Sequence, residues 1–391
     1  MQTRRDFLVG LTAVSVASRS LGLRAATYDL LIKGGRVIDP SAALDRVMDV
    51  GIAGTRIARV ASDIPASEAT GVIDARGKIV TPGLVDIHAH LDAEMPPTHC
   101  LSTGVTAIVD AGSRGADNVG ELVTMAKSAP NRMRILLNIG RTGLGSTPEL
   151  LDFANADVAA ARRVVEANRD VIIGIKARLS KGVAGVHDLD AIDRAHEVTV
   201  PLGLPLMVHI GQTVSTIPAL LARLRPGDIV THVYAPPPNT IFDESGRIFP
   251  DVLAARKRGV LFDIGNGRGG HITWEMADRA LEQGFLPDTI SSDLTAPGRT
   301  DRVFDFPTVL SKFLMLGLSL EQVIARATIN AARAIAPFRD LGTLAAGRPA
   351  DVSVFELQTG EFEFVDNERT KRTGRQKLVP ATVVVSGKQV N

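Results

Sequence analysis

Apolar positions along this chain fall into three blocks of different rhythm. From Tyr28 to about Val80 they come in short runs: Asp29–Lys33, Arg36–Asp39, Val47–Ile52 and Thr55–Val60. Gly34-Gly35 and Pro40 punctuate them, and no window has a helical period, so the block predicts β-strands. From Leu84 to about Pro337 short β-rich runs alternate with helical patterns. The candidate strands begin near Leu84, Thr106, Arg134, Val171, Leu206, Ile229, Val260 and Thr289. Alternating strands and helices imply parallel pairing, and eight is the number a closed parallel barrel needs. Ser319 and Gln322 form a capping-box pattern at the start of the last helix, and Gly140–Thr147 reads as a loop at the barrel mouth. After Pro337 strands return, at Gly342–Leu344, Gly347–Phe355, Glu361–Phe364 and Ala381–Val385. The basic stretch Arg369–Lys377 between the last two reads as a solvated hairpin loop.

The predicted fold class is therefore α/β. A (β/α)8 TIM barrel spans 82–337, and a small β-sandwich is built from both chain ends, 27–81 and 338–391. Residues 1–26 stand apart. Arg4-Arg5 precedes an apolar segment, Phe7–Ala17, that is too short to span a membrane and matches the core of a signal peptide. The paired arginines before Phe7-Leu8 resemble a twin-arginine export signal. That resemblance implies the export machinery as a partner, metal uptake before export, and a periplasmic mature protein.

Composition narrows the rest. A net charge of +1 gives no reason to expect nucleic acid. No run of about 18 apolar residues exists to cross a membrane. Cys100 is the only cysteine, so no intrachain disulfide can form.

The chemistry stands at strand ends. Val85-Asp86-Ile87-His88-Ala89-His90 closes an apolar run with two histidines one residue apart, and residues i and i+2 of a strand share a face. Later runs end in Lys176, His209, His232 and Asp293. In a barrel these ends meet at the catalytic face. Imidazole and carboxylate are metal ligands, whereas an ammonium has no lone pair to offer. Apolar flanks Ile175 and Ala177 lower the pKa of Lys176, and a neutral amine can add carbon dioxide to become a carbamate, an anionic bridge between two cations. The expectation is two divalent ions, zinc by ligand type. His88 and His90 serve one, His209 and His232 the other, with the Lys176 carbamate between.

This set resembles the amidohydrolase superfamily in its binuclear, carboxylated-lysine form, over Tyr28 to Val385. Leu31–Val37 and Gly347–Val352 resemble that superfamily's sandwich edges. The resemblance implies that His88, His90 and Asp293 hold the more buried ion and that a hydroxide bridges the pair. It also implies that Asp293 shuttles the proton from hydroxide to leaving group. Gly104–Thr106 running into Val109–Ser113, Gly174–Arg178, and Gly265–His271 resemble the amidohydrolase/deacetylase branch, whose members include hydrolases of acetylated 2-hydroxy acids. Dihydroorotases are neighbours, but their first-strand motif carries an arginine shortly after the second histidine, and His90-Leu91-Asp92-Ala93-Glu94 has none.

Four arginines, Arg114, Arg141, Arg178 and Arg268, lie on strand-end loops. Arg178 is the preferred clamp for a substrate carboxylate, being two residues past Lys176. Asn266, His271 and Tyr234 are further substrate-binding candidates. The resulting expectation is a metal-dependent hydrolase of an acyl ester or amide on a small carboxylate-bearing molecule. A cyclic amide or lactone hydrolase and a non-catalytic barrel scaffold are the alternatives, and a homo-oligomer is left open. Fractionation of the native host is expected to find the mature protein in the periplasm; a full-length cytosolic product would refute export.

Overall fold

A computed structural model describes residues 26–145, 148–238 and 240–390. Apart from Ala26, the expected export segment lies outside the described residues. Parallel strands Leu84–Ala89, Val105–Ala111, Arg132–Asn138, Ile172–Arg178, Leu206–His209, Ile229–Thr231 and Leu261–Asp263 bond to one another in sequence order. Helices fill the crossovers. Asp157, Thr216, Thr273 and Asp305 cap four of the helices by accepting from a backbone N–H in the first turn. Ser319 and Gln322 make the full capping box that their spacing predicts.

The expected eighth strand is not a regular one. Thr289–Asp293 nevertheless closes the ring through backbone bonds on both sides. On one side Ile264, Asn266 and Gly267 donate to Thr289, Ser291 and Ser292. On the other, Asp293 donates to His88 and His90 donates to Leu294. The backbone on both edges leaves the extended region here, at Gly265 (φ 51°) and Gly267 (φ 54°) facing it and at Asp293 (φ 48°) at its end, so the ladder is not regular.

The chain ends build the second unit as one eight-stranded sheet. Tyr28–Asp39 bonds to Leu44–Ala53 on one side and to Ala69–Asp74 and Ile79–Pro82 on the other; Ile79–Pro82 then bonds to Val352–Val365. Its core mixes both ends: Ile32, Val37, Val50 and Val80 pack with Leu344, Val352, Val354 and Val384. Buried Asp39 accepts from Leu344 N at 2.7 Å, tying the ends together, and Asp351 takes Arg132 of the third barrel strand at 2.8 Å. The basic stretch is not a loop. It lies mostly in Lys371–Val385, which pairs with Val352–Val365 in a long hairpin turning at Asp366–Thr370. Its cations are partnered across the hairpin and beyond, Lys371 with Glu363, Arg375 with Glu361 and Arg372 with Asp278, while the backbone ladder with Val352–Val365 sets its conformation. No helix among the described residues is long and apolar enough to cross a membrane.

One buried charge is not at a strand end. Lys312, in helix Phe306–Met315, donates to Arg302 O at 2.6 Å and Asn266 Oδ1 at 3.2 Å, and burial pulls its pKa down to about 7. Between that value and the ordinary 10.5 the unfolded chain holds a proton that the folded chain has released. Stability should therefore rise with pH across this window, by up to about 1.4 kcal/mol per pH unit. Lys312→Met should lose this lysine's share of the slope, as urea unfolding at pH 7 and pH 9.5 beside wild type would register.

Candidate metal centre and active site

At the C-terminal ends of the barrel strands a cavity of about 220 Å³ is lined by His88, His90, Lys176, Arg178, His209, His232, His271 and Asp293. Leu144, Arg268, Gly269 and Thr295 complete the wall. All six residues that the strand-end pattern proposes as ligands therefore meet here. Lys176 Nζ is 3.1 Å from His88 Nε2 and 3.4 Å from Met207 Sδ. Asp293 Oδ1 is 3.1 Å from His90 Nε2 and 3.4 Å from His88 Nε2, and Oδ2 is 2.9 Å from His271 Nδ1. His209 and His232 rings are 4.3 Å apart, and His271 stacks on His232 at 3.8 Å. Two groups of ligand atoms close enough to share a cation result: His88, His90 and Asp293; and His209, His232 and His271.

The donor set fits metal ions, and the reason lies behind the rings. Thr231 gives its hydroxyl hydrogen to Asp263 at 2.8 Å, so its oxygen must accept from His88 Nδ1 at 2.9 Å. Ser113 donates to Asp110 at 2.6 Å and accepts from His90 Nδ1 at 2.9 Å. The Gly265 carbonyl can only accept, and it takes His232 Nδ1 at 2.8 Å. Each imidazole is thereby held in the tautomer whose Nε2 lone pair is free, the arrangement that metal-binding histidines use. Desolvation lowers the basicity of His88, His209 and His232. Burial, with Lys176 beside it, lowers His88 to about 4; burial, with His271 adjacent, pushes His209 and His232 well below the usual imidazole range. Burial also brings Lys176 down to about 7, so much of it is a free amine at neutral pH. Asp293 is also buried, which opposes its charge, but His88, His271 and His90 outweigh this and hold it ionised.

Backbone geometry serves the same convergence. His232 has φ 70° and Asp293 φ 48°, sparsely populated for residues with a Cβ, and such strain concentrates at functional sites. Gly267 has φ 54°, and a β-carbon there would collide with His271 Nδ1 and Asp293 Oδ2.

The substrate-binding candidates divide. Arg178 lines the cavity but is engaged, donating to buried Glu149 at 2.7 Å. His271 lines it as well. Asn266 is fully buried behind the wall, its amide donating to Gly267 O and its oxygen accepting from Lys312. Tyr234 is a correction. It is buried in the core, with its hydroxyl donating to Phe285 O at 2.7 Å. The two-residue facing rule fails because strand Ile229–Thr231 ends before the left-handed turn at His232. Of the remaining arginines, Arg268 lines the cavity, Arg141 pairs with Asp117 on the surface, and Arg114 donates to Ser113 O. Sequence reasoning missed Asp110, Asp263, Ser113 and Thr231. A lone acid in an apolar strand, as in Ile108-Val109-Asp110 and Leu261-Phe262-Asp263, was the available signal.

Comparison with known proteins agrees with this geometry. A model of the amidohydrolase family matches residues 79–390. The chain is 28% identical over 369 residues to a deacetylase of Enterococcus faecalis, covering 92% of this chain and 98% of that protein. It is 30% identical over 345 residues to the deacetylase Atu3266 of Agrobacterium fabrum, covering 86% and 84%. The crystal structure of an adenine deaminase is similar at a TM-score of 0.84 and 28% identity, covering 93% of this chain and 100% of that one.

Because the Nδ1 partners fix the rings, Ser113→Ala should weaken metal retention by about 10- to 100-fold. Metal analysis after graded chelator dialysis would measure it; retention equal to wild type would remove Ser113 from this role.

Proposed function

The chain belongs to the amidohydrolase family and is a metal-dependent hydrolase, and from that premise we propose that it removes an acyl group, acetyl in the leading case, from an ester or amide of a small carboxylate-bearing substrate. The observation that carries this reading is one cavity lined together by His88, His90, Lys176, His209, His232 and Asp293, with two arginines, Arg178 and Arg268, on its wall. The names of the deacetylase relatives support the acyl group.

In this reading His88, His90 and Asp293 would hold one divalent ion and His209 and His232 a second, with zinc suited to the donors. Lys176 would lie between as a carbamate: its free amine adds to carbon dioxide, forming an N–C bond and releasing one proton. When bound, the ions supply activation of water near neutral pH and polarisation of the scissile carbonyl. Asp293, held ionised, accepts the proton of the attacking water and returns it to the leaving oxygen or nitrogen. Arg178, steadied by Glu149, and Arg268, 3.9 Å from Asp301, present guanidinium groups to a substrate carboxylate. The cavity volume suits a small molecule.

The test is acetate release from racemic O-acetyl-2-hydroxy acids and N-acetyl amino acids, assayed beside dihydroorotate, simple lactones and adenine. Turnover of the acetylated acids is expected. Turnover confined to dihydroorotate or lactones would replace this reading with cyclic amide or lactone hydrolysis. Asp293→Asn should lower kcat by about 10²- to 10⁴-fold while keeping much of its metal; wild-type turnover in that variant would strip Asp293 of the proton-transfer role.

A further inference from the structure

The segment after the seventh barrel strand, Gly265–His271, brings Arg268, Gly269 and His271 to the cavity wall. Four of its residues are glycines, and Gly265, Gly267 and Gly270 all have positive φ. Such a stretch has many accessible conformations, and fixing one costs roughly 1–2 kcal/mol per residue in backbone entropy. Its own sequence gives it little to hold that conformation.

Backbone bonds from Asn266 and Gly267 to Ser291 and Ser292 hold its first end, and a hold on both ends at once comes from the terminal sheet. Asn367 stands at the tip of the hairpin between Val352–Val365 and Lys371–Val385, and only 5% of it is exposed. Its Oδ1 accepts from His271 N at 2.8 Å and Ile272 N at 3.2 Å. Its Nδ2 donates to Gly267 O at 2.9 Å and Asn266 O at 3.2 Å. An amide has two donor hydrogens and two acceptor lone pairs, and all four go to the two ends of this one segment. Donors at one end and carbonyls at the other also fix which way the amide points. Its backbone N–H donates to Ile272 O at 3.1 Å, and Arg302 donates to its carbonyl at 3.0 Å. Asp366 accepts from Trp274 N and Trp274 Nε1 donates to Thr370 O, so the hairpin tip is itself anchored.

We infer that Asn367 is a positioning residue of the active site: by gripping both ends of the glycine-rich segment it sets where His271 stands against Asp293 and His232. The terminal sheet is then a working part of the site. Asn367 touches neither the cavity nor the reacting atoms, and it acts through His271.

The kinetic part of the test rests on the hydrolase reading above; the exchange part does not. Amide hydrogen exchange on the full-length protein is expected to show His271 and Ile272 exchanging at least about 10-fold faster in Asn367→Ala than in wild type, with Leu261–Asp263 unchanged. With O-acetyllactate as the probe, Asn367→Ala should lower kcat/KM by about 10- to 100-fold. In a His271→Ala background the same substitution should change kcat/KM by less than about twofold, because its route of action is already gone. Arg372→Ala breaks the ion pair that joins the same hairpin to Asp278 and should leave both readouts within about twofold of wild type. Unchanged exchange at His271 and Ile272 would overturn the inference. So would multiplicative losses in the double variant, since Asn367 would then act on the fold at large. If wild type does not hydrolyse O-acetyllactate, the acyl-substrate reading falls and the exchange result alone decides this inference.

Discussion

Everything in this molecule turns on keeping a cluster of nitrogen and oxygen lone pairs dry. Five imidazoles, one lysine amine and one carboxylate line a single small cavity. In water the amine would be protonated and the carboxylate well solvated. Desolvation reverses that for the bases, bringing Lys176 to about 7 and His88 to about 4, and leaves their electron pairs available. Asp293 is held well below the usual carboxylate range, because His88, His271 and His90 outweigh its burial. A buried carboxylate ringed by electron-pair donors is costly unless cations complete it. The hydroxyls of Thr231 and Ser113, and the acids Asp263 and Asp110 behind them, serve that arrangement by fixing which nitrogen faces inward.

How much of this was legible in the sequence follows from where each residue sits. His88, His90, Lys176, His209, His232 and Asp293 stand out because each closes a short apolar run, and parallel strands bring like ends together. That logic is local plus topological, so it survives without coordinates. It fails where the backbone departs from its period. Tyr234 was expected beside His232, but the left-handed turn at His232 sends it into the core. Thr289–Asp293 reads as a strand, yet it bonds irregularly for the same kind of reason. Asn266 was placed at the substrate and lies one layer behind it, held by Lys312.

The terminal sheet shows a different limit. Its strands were legible, and so was its origin in both chain ends. Its contact with the site was not, because an asparagine in a hairpin turn has a sufficient local explanation. The basic stretch was misread in the same direction: single-sequence charge suggested solvated loop, whereas Glu361, Glu363 and Asp278 supply partners that only pairing reveals. Arg132 on Asp351 adds a second contact that clamps the sheet to the barrel, and Leu344 on Asp39 ties the two chain ends within the sheet.

The hairpin contact has a consequence for biosynthesis. Asn367 follows His271 by 96 residues. A ribosome adding about 5–20 residues per second needs roughly 5–20 s to cover that stretch. The closing segment Thr289–Asp293 and the last barrel helices are made within this interval, and the His271 end of the glycine-rich segment waits for Asn367 throughout it. A product cut short before the hairpin would carry all six strand-end residues and still lack the clasp on His271.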